Sequence, residues 1–292
     1  MPPLRILESP QLREPTLVAA FAGWSDAGAA ATAAATYLAE RWRAERLAEI
    51  DAEEFYDFTQ LRPTVRYVEG ERRQIEWPQN NFYYHQTPDR DLIVLAGIEP
   101  HLHWKAYVAA VMEVIDRFQV SLVVSLGALF VDFPHTRPVR VTGAAPTPEM
   151  AERAHLISRG SGRYEGPTGI SGVLSTTLRE RDVALASLWA NVPHYVNATP
   201  NPSAALGLLR SLSGLLAIDI PLGRMIRGAA AFEAQLNEAT SKNSEVLEYV
   251  RALEERVDSE ATGEEPRSEL PATESIVKDI EEFLRRRPRG EP

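Results

Sequence analysis

The chain has 292 residues, 31 Lys and Arg against 41 Asp and Glu, a net charge of −10 and no cysteine. Disulfides, thiolate metal sites and cysteine nucleophiles are therefore excluded, and an acidic chain has no electrostatic reason to hold nucleic acid or an anionic membrane. With 44% hydrophobic and 25% charged residues, the composition is that of a soluble globular protein able to bury a large core. No charged-then-apolar leader opens the sequence, and its longest apolar-leaning run, VSLVVSLGALFV, has 12 residues, too short for a bilayer; a cytoplasmic location is expected.

In chain order, Thr16 to Phe21 (TLVAAF) reads as a buried strand closed by Gly23. The polar turn Trp24-Ser25-Asp26 leads into an alanine-rich helix over Ala27 to Arg43, for which Asp26 or Ser25 is a cap. Val65 to Val68 and Gln74 to Trp77 flank Glu69-Gly70-Glu71 as a hairpin, and Asn81 to Gln86 alternates like an antiparallel strand. Buried strands follow at Asp91 to Ala96, Ser121 to Leu126, Val139 to Thr142 and Val183 to Trp189, the first three ending at Gly97, Gly127 and Gly143. Helices are predicted over Trp104 to Phe118, Val173 to Arg181 and Pro202 to Leu216, the last with proline at its start. Strand, glycine turn and helix in repetition predict an α/β fold, a three-layer α/β/α sandwich on a mixed, largely parallel sheet over residues 1–221. Ligands of such folds sit at the carboxyl ends of the strands, where these glycines are expected.

Beyond Pro221, Phe232, Leu236, Ala239, Asn243, Val246, Val250, Leu253 and Val257 keep a heptad spacing, so residues 222–257 are read as one long helical segment. It either packs along its own domain or meets a helical partner, and an asparagine inside the seam favours a partner. Glu254 to Glu274 holds eight acids and two bases, too little apolar surface to offset the entropy of ordering, and residues 258–273 are expected to be an acidic linker. Residues 274–292 form a short helix and tail, with Ile276, Ile280, Phe283 and Leu284 on one face.

Two segments are candidates for ligand binding. Gly23, Trp24, Ser25 and Asp26 follow the first strand. Gly166, Thr168, Gly169, Ser171 and Gly172 lie in a loop opening a helix, whose backbone N–H groups suit an anion or a carboxylate. The loop lacks the lysine of a P-loop and the G-x-S-x-G of a nucleophile elbow, so a tight turn without ligand also fits. His101 and His103 beside Glu99 start a helix, where their rings diverge, and no metal is expected there. No cofactor is implied, and no catalytic residue can be assigned.

GWSDAGAAAT at 23–32, LRPTVRYVEGERRQIEWP at 61–78, GPTGISGVL at 166–174 and NPSAALGLLRSLSGLL at 201–216, in that order and spacing, resemble the proteasome assembly chaperone family, the type named for its second member, in its actinobacterial branch. The likeness covers roughly residues 5–255. It implies a fold like that of purine nucleoside phosphorylases and a role in binding without catalysis. Partners implied are further copies of the chain, a trimer among them, and proteasome subunits. Some relatives end in a hydrophobic residue, a tyrosine and one more residue; this sequence closes RRRPRGEP, so docking by such a tail is not expected. The other reading is a small-molecule binder or enzyme acting on a nucleoside or phosphate-bearing ligand, with Arg137, Arg140 and Arg163 as an anion clamp.

Overall fold

The computed structural model describes residues 3–68, 72–88, 90–158 and 164–262. Its backbone contacts divide into two compact units. The first takes in residues 1–25, 35–126 and 160–187, the second residues 26–34, 127–159 and 188–292. The expected hairpin tip at Glu69 to Glu71, Arg163, and most of the expected linker and terminal helix lie outside the described residues.

The first unit is built on strands β1 (Leu4–Ile6), β2 (Thr16–Ala22), β3 (Glu45–Ile50), β6 (Asn80–His85), β7 (Leu92–Ile98) and the start of β8 (Leu122–Val131), which pair in the order β1-β3-β6-β7-β2-β8. β2 is parallel to both neighbours, with Val18 opposite Val94 of β7 and Val124 of β8. Strands β1, β3, β6 and β7 pair antiparallel in turn. The uninterrupted apolar run of β2 explains its central place, because a parallel strand covered on both faces has no polar side to show. Helices α1 (Ala30–Arg41), α2 (Trp104–Arg117) and α4 (Ile170–Glu180) complete the unit, α1 starting in the second one. α2 buries Tyr107, Val108, Val111, Val114 and Ile115 at helical spacing. Tyr107 stands edge-on to Phe21 and Phe55, with ring centres 6.1 and 5.3 Å away, a favoured aromatic geometry. Strands β4 (Thr64–Val68) and β5 (Arg72–Glu76) form a separate two-stranded sheet, with Val65 opposite Ile75 and Tyr67 opposite Arg73.

The second unit carries the end of β8, then β9 (Val141–Ala144), α3 (Pro148–Arg153), β10 (Ile157–Ser158), most of β11 (Leu185–Pro193), α5 (Pro202–Leu216), α6 (Gly223–Ser241) and α7 (Ser244–Thr262). Its strands continue in the order β8-β11-β9-β10. The fold is thus α/β with a mixed, largely parallel sheet.

Three glycines expected to end strands do not. Gly97, Gly127 and Gly143 lie inside β7, β8 and β9. At Gly97 a Cβ would stand 2.8 Å from the Tyr107 hydroxyl and 3.1 Å from Asn80 Oδ1, and at Gly127 it would meet the Trp189 ring. Gly97 and Gly127 make room for side chains rather than turn the chain. The heptad run also resolves differently. It is two helices, broken at Lys242 and Asn243, and the second continues to Thr262. Asn243 Oδ1 accepts the N–H groups of Glu245 (2.9 Å) and Val246 (3.3 Å), so the seam asparagine is a helix cap. Leu236, Val246, Val250 and Leu253 pack with Tyr195, Val196 and Tyr249 of the same chain.

Candidate functional site

β2 and β7 lie side by side and parallel, so Gly23 and Glu99 leave the sheet together at its carboxyl edge. The Glu99 N–H donates to Ala22 O at 2.8 Å, which fixes the two turns to each other. Glu99 then aims its carboxylate at the amino end of α4. Oε2 accepts the Trp24 N–H at 3.1 Å, and Oε1 accepts the Ile170 N–H at 2.8 Å. Ile170 opens α4, where unpaired N–H groups and the helix dipole favour a negative charge.

The glycines around this carboxylate leave it space. Gly23 has φ +134°, a conformation that L side chains rarely adopt, and a Cβ there would be 2.9 Å from Glu99 Cβ. Gly169 has an ordinary φ of −88°, but its Cβ would stand 2.7 Å from Glu99 Oε1, 3.0 Å from Ser25 Oγ and 3.3 Å from the Trp24 ring. Gly172 leaves room for the Thr168 hydroxyl in the same way. Ser25 and Ser171 are buried here, while Trp24 is 62% exposed and Tyr164 72% exposed. The Tyr164 hydroxyl donates to Pro167 O at 2.8 Å, holding that ring against the loop. Behind the knot, Asn80 Oδ1 accepts the Tyr107 hydroxyl (2.9 Å) and the Ile98 N–H (2.8 Å), a buried polar brace for the end of β7.

The turn at Gly23 to Ser25 and the loop at Gly166 to Gly172 therefore meet, and Glu99 joins them. Glu99, named from the sequence only as a neighbour of His101 and His103, was not among the candidate ligand-binding residues. Its signal was there: an acid directly after an apolar strand, at the sheet edge where α/β folds place their sites. Asp26 has a different task. In the second unit, its Oδ1 accepts the Ala31 N–H at 2.7 Å, and the Thr32 hydroxyl donates to Oδ2. Asp26 is a cap for α1, and burial pushes its carboxyl above the ordinary range against the lowering effect of those hydrogen bonds.

Of the arginines read as an anion clamp, Arg137 and Arg140 are engaged elsewhere. Arg137 pairs with Glu254 at 3.2 Å and Asp258 at 2.6 Å. Arg140 lies 3.6 Å from Glu260 and over the Phe133 ring. His101 Nδ1 accepts the Asp57 N–H at 3.1 Å, a loop anchor. Among the described residues, no group of three or more His, Cys, Asp or Glu side chains could hold a metal ion, and no helix is long and apolar enough to cross a membrane.

An α/β protein whose strand ends are tied to a helix start by a carboxylate of its own is the class that this geometry defines. A model described as PAC2 family matches residues 20–240, and the chain belongs to that family. Among solved structures it is similar to a PAC2 family protein from Streptomyces avermitilis, with 42% identity over 81% of this chain and 99% of the other, and a TM-score of 0.72. It is also similar to a Mycobacterium tuberculosis proteasome-assembly chaperone homologue, with 40% identity, 80% and 99% coverage and a TM-score of 0.71. A Pyrococcus furiosus archaeal proteasome activator shares the fold at 19% identity, with a TM-score of 0.64 over 80% of this chain and 97% of its own. No curated protein sequence matches the chain.

Proposed function

We propose that the chain is a non-catalytic, self-associating protein-binding or assembly factor of the cytoplasm, with proteasome subunits among its partners. Its contact face is the surface around the Glu99 knot, where Gly23, Trp24, Gly166 and Thr168 are exposed and Ser25, Gly169, Ser171 and Gly172 support them from beneath. One observation carries this reading. The N–H groups of Trp24 and Ile170, which would cradle a ligand anion in an α/β enzyme, are already taken by Glu99. A diffusible phosphate would have to displace a tethered carboxylate, while the large aromatic rings beside it face outward. Exposed aromatic rings on a stiff support suit protein recognition. The pairing of Arg137 and Arg140 with α7 acids further weakens the case for a phosphate clamp. The proteasome is named as partner because the Mycobacterium tuberculosis relative, 40% identical, is a proteasome-assembly chaperone homologue.

The test is co-purification of the tagged full chain with proteasome subunits, alongside a Trp24→Ala/Tyr164→Ala variant. Capture by the parent chain, reduced about tenfold or more in the variant, is expected, since aromatic anchors are each worth about 2 kcal/mol or more at an interface. Absence of any subunit, or equal capture by both chains, would overturn the reading. Nucleosides with phosphate are expected to leave the melting temperature unchanged.

A further inference from the structure

The carboxylate that takes the place of an anion at the strand ends is itself an incompletely met charge. Glu99 is half-buried, and its oxygens accept one N–H each, from Trp24 at 3.1 Å and from Ile170 at 2.8 Å. An ionised carboxylate offers about four lone-pair sites, so each oxygen keeps room for a further donor. The start of α4 supplies roughly half a positive charge, which leaves the site negative. Among the described residues, Glu99 makes no ion pair.

An aromatic ring stands directly beside this carboxylate. A Cβ on Gly169 would lie 2.7 Å from Glu99 Oε1 and 3.3 Å from Trp24 Cε3, so acid and indole are neighbours across one glycine. Trp24 is exposed, as is Tyr164 at the start of the facing loop. The rest of the face has the same sign: Gly23, Trp24 and Tyr164 to Thr168 include one further exposed acid, Glu165, and no lysine or arginine. A carboxylate beside an exposed indole is matched best by a guanidinium. Its planar fork of N–H groups fits carboxylate oxygens, and its flat face stacks on the ring. The ammonium of lysine is a compact, strongly hydrated point charge and has no flat face to stack.

We infer that the Glu99 knot binds an arginine side chain presented by the protein partner, with the guanidinium on the remaining lone pairs of Glu99 and against the Trp24 ring. The inference deepens the contact-face reading given above and rests on it. Glu99 then serves both sides of its carboxylate: it denies the backbone donors to anions and offers its free lone pairs to a cation. Two backbone N–H groups already hold it in place, so little side-chain freedom is lost when the partner arrives. The net charge of −10 favours encounter with a basic surface.

The test is nuclear magnetic resonance on the full chain, with the Trp24 indole N–H assigned by its loss in Trp24→Phe. The probes are N-acetyl-arginine amide, N-acetyl-lysine amide and N-acetyl-citrulline amide, the last an uncharged copy of arginine. Arginine amide is expected to shift the Trp24 signal saturably, with a dissociation constant of about 1 mM for so small a ligand. Citrulline amide should bind at least about tenfold more weakly, because a charge-assisted hydrogen bond is lost, and lysine amide several-fold more weakly. Raising NaCl from about 50 to about 500 mM should weaken arginine binding several-fold. Glu99→Gln, shown by circular dichroism to be folded, should abolish the preference for arginine over citrulline amide and cut the capture of proteasome subunits about tenfold. Equal binding of lysine amide would overturn the assignment of arginine. If subunits are captured through Trp24 and Tyr164 while arginine amide binds no better than citrulline amide, or not at all, the arginine site is overturned and the contact-face reading stands. If arginine amide binds as expected but no subunit is captured, the site stands and the proteasome as its partner is overturned.

Discussion

Glu99 shows how much one acid can organise. It ties the ends of two neighbouring strands to the start of a helix through two N–H donors. Glu99→Gln keeps the shape but removes the charge and turns an amide NH₂ towards a backbone donor. A loss of about 1–3 kcal/mol in urea unfolding is expected, while Glu113→Gln, on the exposed side of α2, should change little. Gly169→Ala has no backbone penalty, so its cost measures space alone, about 1–3 kcal/mol for a methyl forced against Glu99 and Ser25. Combined with Glu99→Ala it should cost clearly less than the sum, because the atom it strikes is gone. Strict additivity would show that the close approach is not the reason for glycine there.

At the scale of elements, α6 and α7 are held to the segment after β11 by an apolar seam, and a polar cluster joins both to the segment after β8. The Tyr195 hydroxyl accepts the His135 N–H at 2.8 Å and is hydrogen-bonded to His135 Nδ1 at 2.7 Å, while Nε2 is hydrogen-bonded to Asn237 Oδ1 of α6 at 3.2 Å. Burial holds the pKa of the ring below the ordinary 6.5. A folded-state value below the unfolded one means that this contribution is present above about pH 6.5 and is lost as pH falls from there towards the folded-state pKa. Urea midpoints should drop between pH 7 and about 5.5, and His135→Gln should flatten part of that slope; an unchanged slope would exclude His135 as its source. Asn243→Ala removes the α7 cap and should cost about 1 kcal/mol, with faster hydrogen exchange confined to the first turn of α7.

For the whole molecule, α1, β8 and β11 each begin in one compact unit and end in the other. Loss of either unit therefore strips residues from three elements, and unfolding should be a single transition. Tryptophan fluorescence and circular dichroism should give coincident urea curves; two separated midpoints would refute it. The same sharing explains what could be read in the sequence. β2, α2 and α5 are legible because apolar period, proline and cap agree over a long stretch. β3 (Glu45–Ile50) was not read as a strand, because Glu45, Arg46 and Glu49 hide its apolar half beside an antiparallel neighbour. The candidate site was half legible: glycines and turns marked its walls, but the acid at its centre was one acid among 41. The seam beyond Pro221 was legible as a buried stripe, but heptad spacing does not report whose surface buries it, and the stripe packs on Tyr195 and Val196 of its own chain.

The tethering of Glu99 has a chemical consequence. A carboxylate held in place beside its donors competes for them intramolecularly, without the entropy cost that a free anion must meet on binding. Shortening that side chain to hydrogen, in Glu99→Gly, would hand the same two donors to formate or acetate. The stability of that variant would then vary with the carboxylate salt in its buffer.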